Sequence, residues 1–103
     1  MESGYKRITV ILNRGYADDV MAIARKAGAK GGTVLDARGT GTEEDVKSSG
    51  ISLVPEKEML IIIAKNDKVN AIIDAIGTTL YLCKPGGGVI FTTNVEQFIA
   101  LGQ

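Results

Sequence analysis

The chain has 103 residues, 45% of them hydrophobic, and balances 12 basic against 12 acidic side chains for a formal net charge of zero. That length supports one domain with a real core and is too short for two, and the even charge leaves no basic field to draw in nucleic acid. With no histidine, Ser-His-Asp and Cys-His catalysis are excluded, and the one cysteine, Cys83, excludes an internal disulfide and fits a reducing compartment. No apolar run approaches the ~20 residues of a membrane span, and Met1 to Arg7 has no apolar signal region, so a cytoplasmic protein is expected.

Lys6 to Leu12 is rich in β-branched residues and predicts a first strand, broken by Asn13-Arg14-Gly15. Val20, Ile23, Ala24 and Ala27 recur at i, i+3, i+4 and i+7, predicting an amphipathic helix over Ala17 to Ala27. Gly28 closes it, with Arg25 and Lys26 in the last turn, where the helix dipole favours cations. Thr33 to Arg38 predicts a second strand. Thr42 to Val54 is polar, charged and about 13 residues long, beyond the usual short link, and is expected to be a mobile, partner-contacting arm. Met59 to Ala64 predicts a third strand, apolar on both faces and therefore central in its sheet. Val69, Ile72, Ile73 and Ile76 predict a second helix, with Asp67 as N-cap and Gly77 as its stop. Val89 to Thr93 predicts the fourth strand. Asn94, with Gln97 three residues on, reads as a capping box for a short terminal helix carrying Val95, Phe98 and Ile99.

The order is β-α-β twice, in halves of about fifty residues, which predicts the split βαβ pattern. The fold class is thus α+β, ferredoxin-like: a four-stranded antiparallel sheet with two helices on one face, residues 1–103 forming a single domain. The other face would be bare in a monomer, and self-association would cover it.

Two glycine clusters sit at the edges of apolar runs. Gly39-Thr40-Gly41 closes the second strand, and Pro85-Gly86-Gly87-Gly88 opens the fourth. Such turns bring main-chain N–H groups close to a ligand and suit an anion such as phosphate. Gly28-Ala29-Lys30-Gly31-Gly32 is also glycine-rich but lacks P-loop spacing and precedes a strand, not a helix. Asp18-Asp19 and Glu43-Glu44-Asp45 read as helix-terminal and solvated charges rather than acid–base pairs. The cysteine count and carboxylate spacing match no thiolate or EF-hand metal site.

Read together, these segments resemble the PII signal-transduction family along nearly the whole chain. The resemblance runs through Ile8-Thr9-Val10-Ile11-Leu12, Asp18-Asp19-Val20, Gly32-Thr33-Val34, Gly39-Thr40-Gly41, Leu53-Val54-Pro55 and Gly86-Gly87-Gly88-Val89-Ile90-Phe91. It implies a non-enzymatic regulator: a homotrimer binding adenine nucleotide in clefts between subunits and reporting it through the loop to a target protein, such as a transporter or enzyme. Thr33 matches a position that contacts adenine, and Ile11 and Ile62 fall where the family places apolar or backbone contacts to the base. Gly39, Thr40 and Gly41, with Gly86, Gly87 and Gly88, would hold phosphate oxygens.

Departures from the pattern change the expected ligand. Val89 stands where the family usually has lysine, Ala100-Leu101-Gly102-Gln103 where it carries two arginines, and Glu56 where it has another lysine. Arg38, Lys57 and Lys84 are the remaining cation candidates. Each charge-assisted contact is typically worth about 1.5–3 kcal/mol, so ADP or AMP is favoured over ATP. Glu43 replaces a glutamine near the second glycine of Gly39-Thr40-Gly41, and the loop lacks tyrosine. Sensing of 2-oxoglutarate and uridylylation are accordingly not expected. A trimeric scaffold that senses nothing is the alternative on the same fold. An acyl-phosphate hydrolase has only Arg14 in its favour, and an RNA-binding sheet would need more aromatics.

Overall fold

The structure, a computed structural model, describes residues 3–40, 56–79, 82 and 87–102. The expected arm, Thr42 to Val54, lies outside the described residues, as do Gly41, Cys83, Lys84 and Gly86. Four strands form, β1 (Tyr5–Asn13), β2 (Thr33–Arg38), β3 (Glu56–Lys65) and β4 (Gly88–Val95), with their buried residues confined to β1 and β3. They form one sheet in the order β2-β3-β1-β4, every neighbouring pair antiparallel. Helices α1 (Ala17–Lys26) and α2 (Asn66–Gly77) complete the βαββαβ order of the ferredoxin-like fold. The apolar run at Met59 to Ala64 is indeed central. Its strand reaches beyond that run in both directions because Lys57 and Lys65 find ladder partners in Asn13 and Tyr5.

The pleat separates two faces. Ile8, Val10, Leu12, Leu60, Ile62 and Ala64 point one way and are buried with Val20, Ala24, Val69, Ile72 and Ile76 of the helices. Burying one such aliphatic side chain contributes about 1.5–3 kcal/mol, so this layer is the main source of stability. The register aligns Leu35, Met59, Ile61, Ile11, Val89 and Phe91 on the opposite, helix-free face. There Leu35, Phe91 and Val89 are 45%, 47% and 57% exposed. Thr9, at the centre of this face, is fully buried and accepts a 2.9 Å hydrogen bond from Arg7 Nε.

Neither helix begins on a cap of its own. Tyr16 precedes α1 without a side-chain cap, and Glu58 of β3 takes that role: its Oε1 accepts from Gly15 N–H at 2.7 Å and Ala17 N–H at 3.2 Å. A carboxylate there complements the positive helix end. The predicted Asp67 cap is corrected. The helix starts two residues earlier than that cap implies, with Lys65 at the N-cap position, and Gly4 C=O accepts from Asn66 N–H at 2.9 Å. Gly28 follows α1 at φ +120°, a left-handed conformation suited to glycine, as its stop position predicts.

The predicted terminal helix is also corrected. Asn94 pairs with Lys6 inside the β1–β4 ladder, so it caps nothing, and residues 96–100 are not helical. The tail is tied to the start of β1 instead: Ser3 Oγ donates to Val95 C=O at 2.5 Å, and the Tyr5 and Phe98 rings stand 4.6 Å apart. Sheet pairing and an aromatic contact outweigh a local capping pattern here.

Candidate functional site

The sequence-predicted site residues fall into three places. Arg38 ends β2 with Gly39 and Thr40 just beyond it, and Gly88 begins β4 just after Gly87, with Ile11 one ladder position from Gly88 on the open face. All of these lie at one end of the sheet, but on opposite edges, because β3 and β1 stand between β2 and β4. Three inter-strand spacings separate the edges by about 14 Å. Thr33 is exposed at the other end of β2, about 20 Å from Gly39 at ~3.4 Å per residue. Ile62 belongs to neither group. Its side chain is fully buried against the helices, on the face opposite Ile11, which leaves its backbone for the expected contact to a base.

Gly88 has a structural reason of its own. It sits at φ +142°, and a Cβ at that position would collide with the Ile11 carbonyl oxygen. The small cleft beside Gly87 and Gly88, between α2 and β4, measures about 70 Å³ and is lined by Val10, Leu12, Ile76 and Ile90. That volume suits a water or two, not a nucleotide.

The larger cavity is at the Thr33 end and measures about 520 Å³, within the usual range of small-molecule sites. Thr33, Gly31 and Gly32 form one wall; Ile61, Ile63 and Ala64 form an apolar floor; Tyr5 and Phe98 close one side. Lys30, Lys65 and Lys68 line it as well, and none of the described residues that line it is acidic. Sequence reasoning found only Thr33 here. It weighed the Lys30 segment solely as a P-loop, and Lys65 and Lys68 meet it only because the chain crosses from β3 into α2 beside the C-terminal end of α1.

Two charges at the glycine end are already engaged. Arg14 forms a 2.7 Å ion pair with Glu56, whose hydrogen bond and charge, with a further contribution from Asp36, raise the guanidinium pKa above its usual value. Arg14 therefore faces a carboxylate rather than an open phosphate site. Lys57 Nζ donates to Asn13 Oδ1 at 2.6 Å, a neutral partner. No cluster of three or more His, Cys, Asp or Glu able to hold a metal occurs among the described residues. None of the helices among them is long and apolar enough to cross a membrane.

This βαββαβ sheet, with glycine turns at one end and a lysine-rimmed cavity at the other, defines a ferredoxin-like α+β domain. Comparison with known proteins carries the assignment further. The family described as nitrogen regulatory protein P-II matches residues 5–102. The nitrogen regulatory protein P-II of Porphyra purpurea is 33% identical over 101 residues, covering 93% of this chain and 90% of the relative. Among solved structures, Arabidopsis thaliana PII bound to citrate superposes with a TM-score of 0.74 at 24% identity, covering 97% of this chain and 82% of that one. The PII-like protein CPII of Thiomonas intermedia K12, bound to ADP, AMP and bicarbonate, gives 0.69 at 16% identity over 94% and 96% of the two chains. The B. subtilis GlnK–ATP complex gives a TM-score of 0.72 at 18% identity over 93% and 86%. The chain belongs to the P-II family of nitrogen regulatory proteins.

Proposed function

We propose that this protein is a cytoplasmic, trimeric sensor of adenine nucleotide, with ADP or AMP preferred to ATP. The nucleotide would bind between subunits and act on a target protein through the Thr42 to Val54 arm. The observation that carries the reading is the division of the expected site. Within one chain Thr33 and the glycine turns lie at opposite ends of the sheet, about 20 Å apart along β2. A head-to-tail arrangement of copies can bring the Thr33 end of one against the glycine end of the next. The exposed apolar face supports association, since it would be costly to leave bare in water.

The relatives lend support in kind: similar folds were solved with ADP and AMP and with ATP. The preference for ADP or AMP rests on Val89, Ala100 and Gly102, which offer no charge to a terminal phosphate. Ligand binding can order an arm only if the ordered form binds the ligand better, which makes the arm an order–disorder relay. Calorimetric titration with ATP, ADP, AMP and cyclic AMP, with and without magnesium, tests the reading. About one site per subunit for any of them supports it. Silence from all four overturns nucleotide sensing and leaves the trimeric scaffold.

A further inference from the structure

We infer that Arg14 is a phosphate ligand of the nucleotide site, held by Glu56 until the phosphate displaces that carboxylate. The inference deepens the nucleotide reading and, for its choice of ligand, rests on it. Arg14 follows β1, and its N–H donates to the Glu56 carbonyl at 3.3 Å, which extends the β1–β3 ladder by one step. Glu56 in turn pairs with Arg38 of β2, the residue before Gly39, while Leu12 pairs with Gly88 of β4. Arg14 therefore lies between the two glycine turns, one strand from β4 and two from β2, or about 5 and 10 Å across the sheet.

The charges around Arg14 are carboxylates. Glu56 raises its pKa by hydrogen bond and charge, and Asp36 and Glu58 add to the effect. An incoming phosphate meets the same three carboxylates and is repelled unless a cation turns to it. Glu58 is committed to the start of α1, where it accepts from Gly15 and Ala17 N–H. The Arg14–Glu56 pair is a weaker bond to break. It joins Nη1 to Oε2 at 2.7 Å with the side chains 62% and 67% exposed, and exposed pairs contribute little because water screens them and two long side chains lose freedom. A phosphate offers several oxygens to the guanidinium fork and is held by two parallel hydrogen bonds, so it outcompetes a single carboxylate contact. The exchange also sets selectivity: each further phosphate adds charge against Asp36 and the displaced Glu56 with one guanidinium to offset it, which favours ADP or AMP over ATP. Glu56 is the first residue of β3, two positions after the expected arm, so the carboxylate that phosphate displaces sits at the root of that arm.

The test titrates wild type, Arg14→Gln, Glu56→Gln and the double variant with ATP, ADP, adenosine and inorganic pyrophosphate by calorimetry. Both side chains are exposed, so the fold should survive, which circular dichroism and the melting temperature check. Arg14→Lys, with a smaller loss expected, replaces Arg14→Gln should that variant unfold. Arg14→Gln should weaken ADP about tenfold and leave adenosine unchanged. Glu56→Gln should tighten ADP about threefold and ATP by more, and the double variant should fall back to the Arg14→Gln level, because Glu56 acts by holding Arg14. Equal ADP binding by wild type and Arg14→Gln overturns the exchange and spares the nucleotide reading. So does a Glu56→Gln gain of the same size with and without Arg14, the mark of simple repulsion at a distance. Pyrophosphate binding that needs Arg14, in a protein silent to nucleotides and adenosine, does the reverse. Silence from every ligand overturns both.

Discussion

Glu58 shows how one side chain links two elements. It stands on β3, yet its carboxylate takes the N–H groups at the start of α1 that Tyr16 leaves open. Glu58→Ala should cost about 1–2 kcal/mol in denaturant unfolding, with Glu58→Gln recovering part of it; unchanged midpoints for both would remove the cap. Ile62 and Gly39 separate packing from binding. Ile62→Val should cost about 0.5–1.5 kcal/mol of stability and leave nucleotide affinity unchanged, because the side chain is sealed beneath the helices. Gly39→Val should weaken nucleotide binding while oligomer size holds, as read by calorimetry and light scattering. Gly88 is the wrong glycine for that experiment, since any side chain there meets the Ile11 carbonyl and strains the fold itself.

Among the elements, the open side of the sheet is the exposed liability. β2 and β4 are both edge strands, and the face between them carries Leu35, Ile61, Ile11, Val89 and Phe91. A monomer would present this surface to water and to strand pairing with other chains. Phe91→Glu should therefore yield a folded monomer by light scattering, with the helix-side core undisturbed. An oligomer of unaltered size would show that association uses another surface. The tail is a second case of an element settled by its neighbours: the Ser3–Val95 bond and the Tyr5–Phe98 contact hold it along β1, where the capping pattern pointed to a helix.

For the whole molecule, the separation of Thr33 from the glycine turns makes a prediction that no single-chain site shares. A variant altered only at Thr33 and another altered only at Gly39 should each bind nucleotide poorly. Unfolded together and refolded as mixed trimers, they should regain about a quarter of the wild-type sites, since each cleft takes one half from each of two neighbouring copies. No recovery in mixed trimers would place the whole site within one chain.

The sequence alone determined the order of elements and the fold. β-branched runs, helical spacing in Val20–Ile23–Ala24–Ala27 and Val69–Ile72–Ile73–Ile76, and the glycine stops are local signals, and each matched its element to within a few residues. It also marked the glycine turns, because main-chain chemistry near glycine is legible from composition, whereas Thr33 was marked only by the resemblance to the PII family. Three things needed the tertiary structure. Strand pairing absorbed Asn94, and β3 supplied the cap of α1; both are contacts between segments more than forty residues apart. The sheet order put the two glycine turns on opposite edges and Thr33 at the far end. Finally, Lys30, Lys65 and Lys68 line one cavity only because α1 and the start of α2 converge there. Local patterns record what each segment prefers; which segments meet is decided by packing across the whole core.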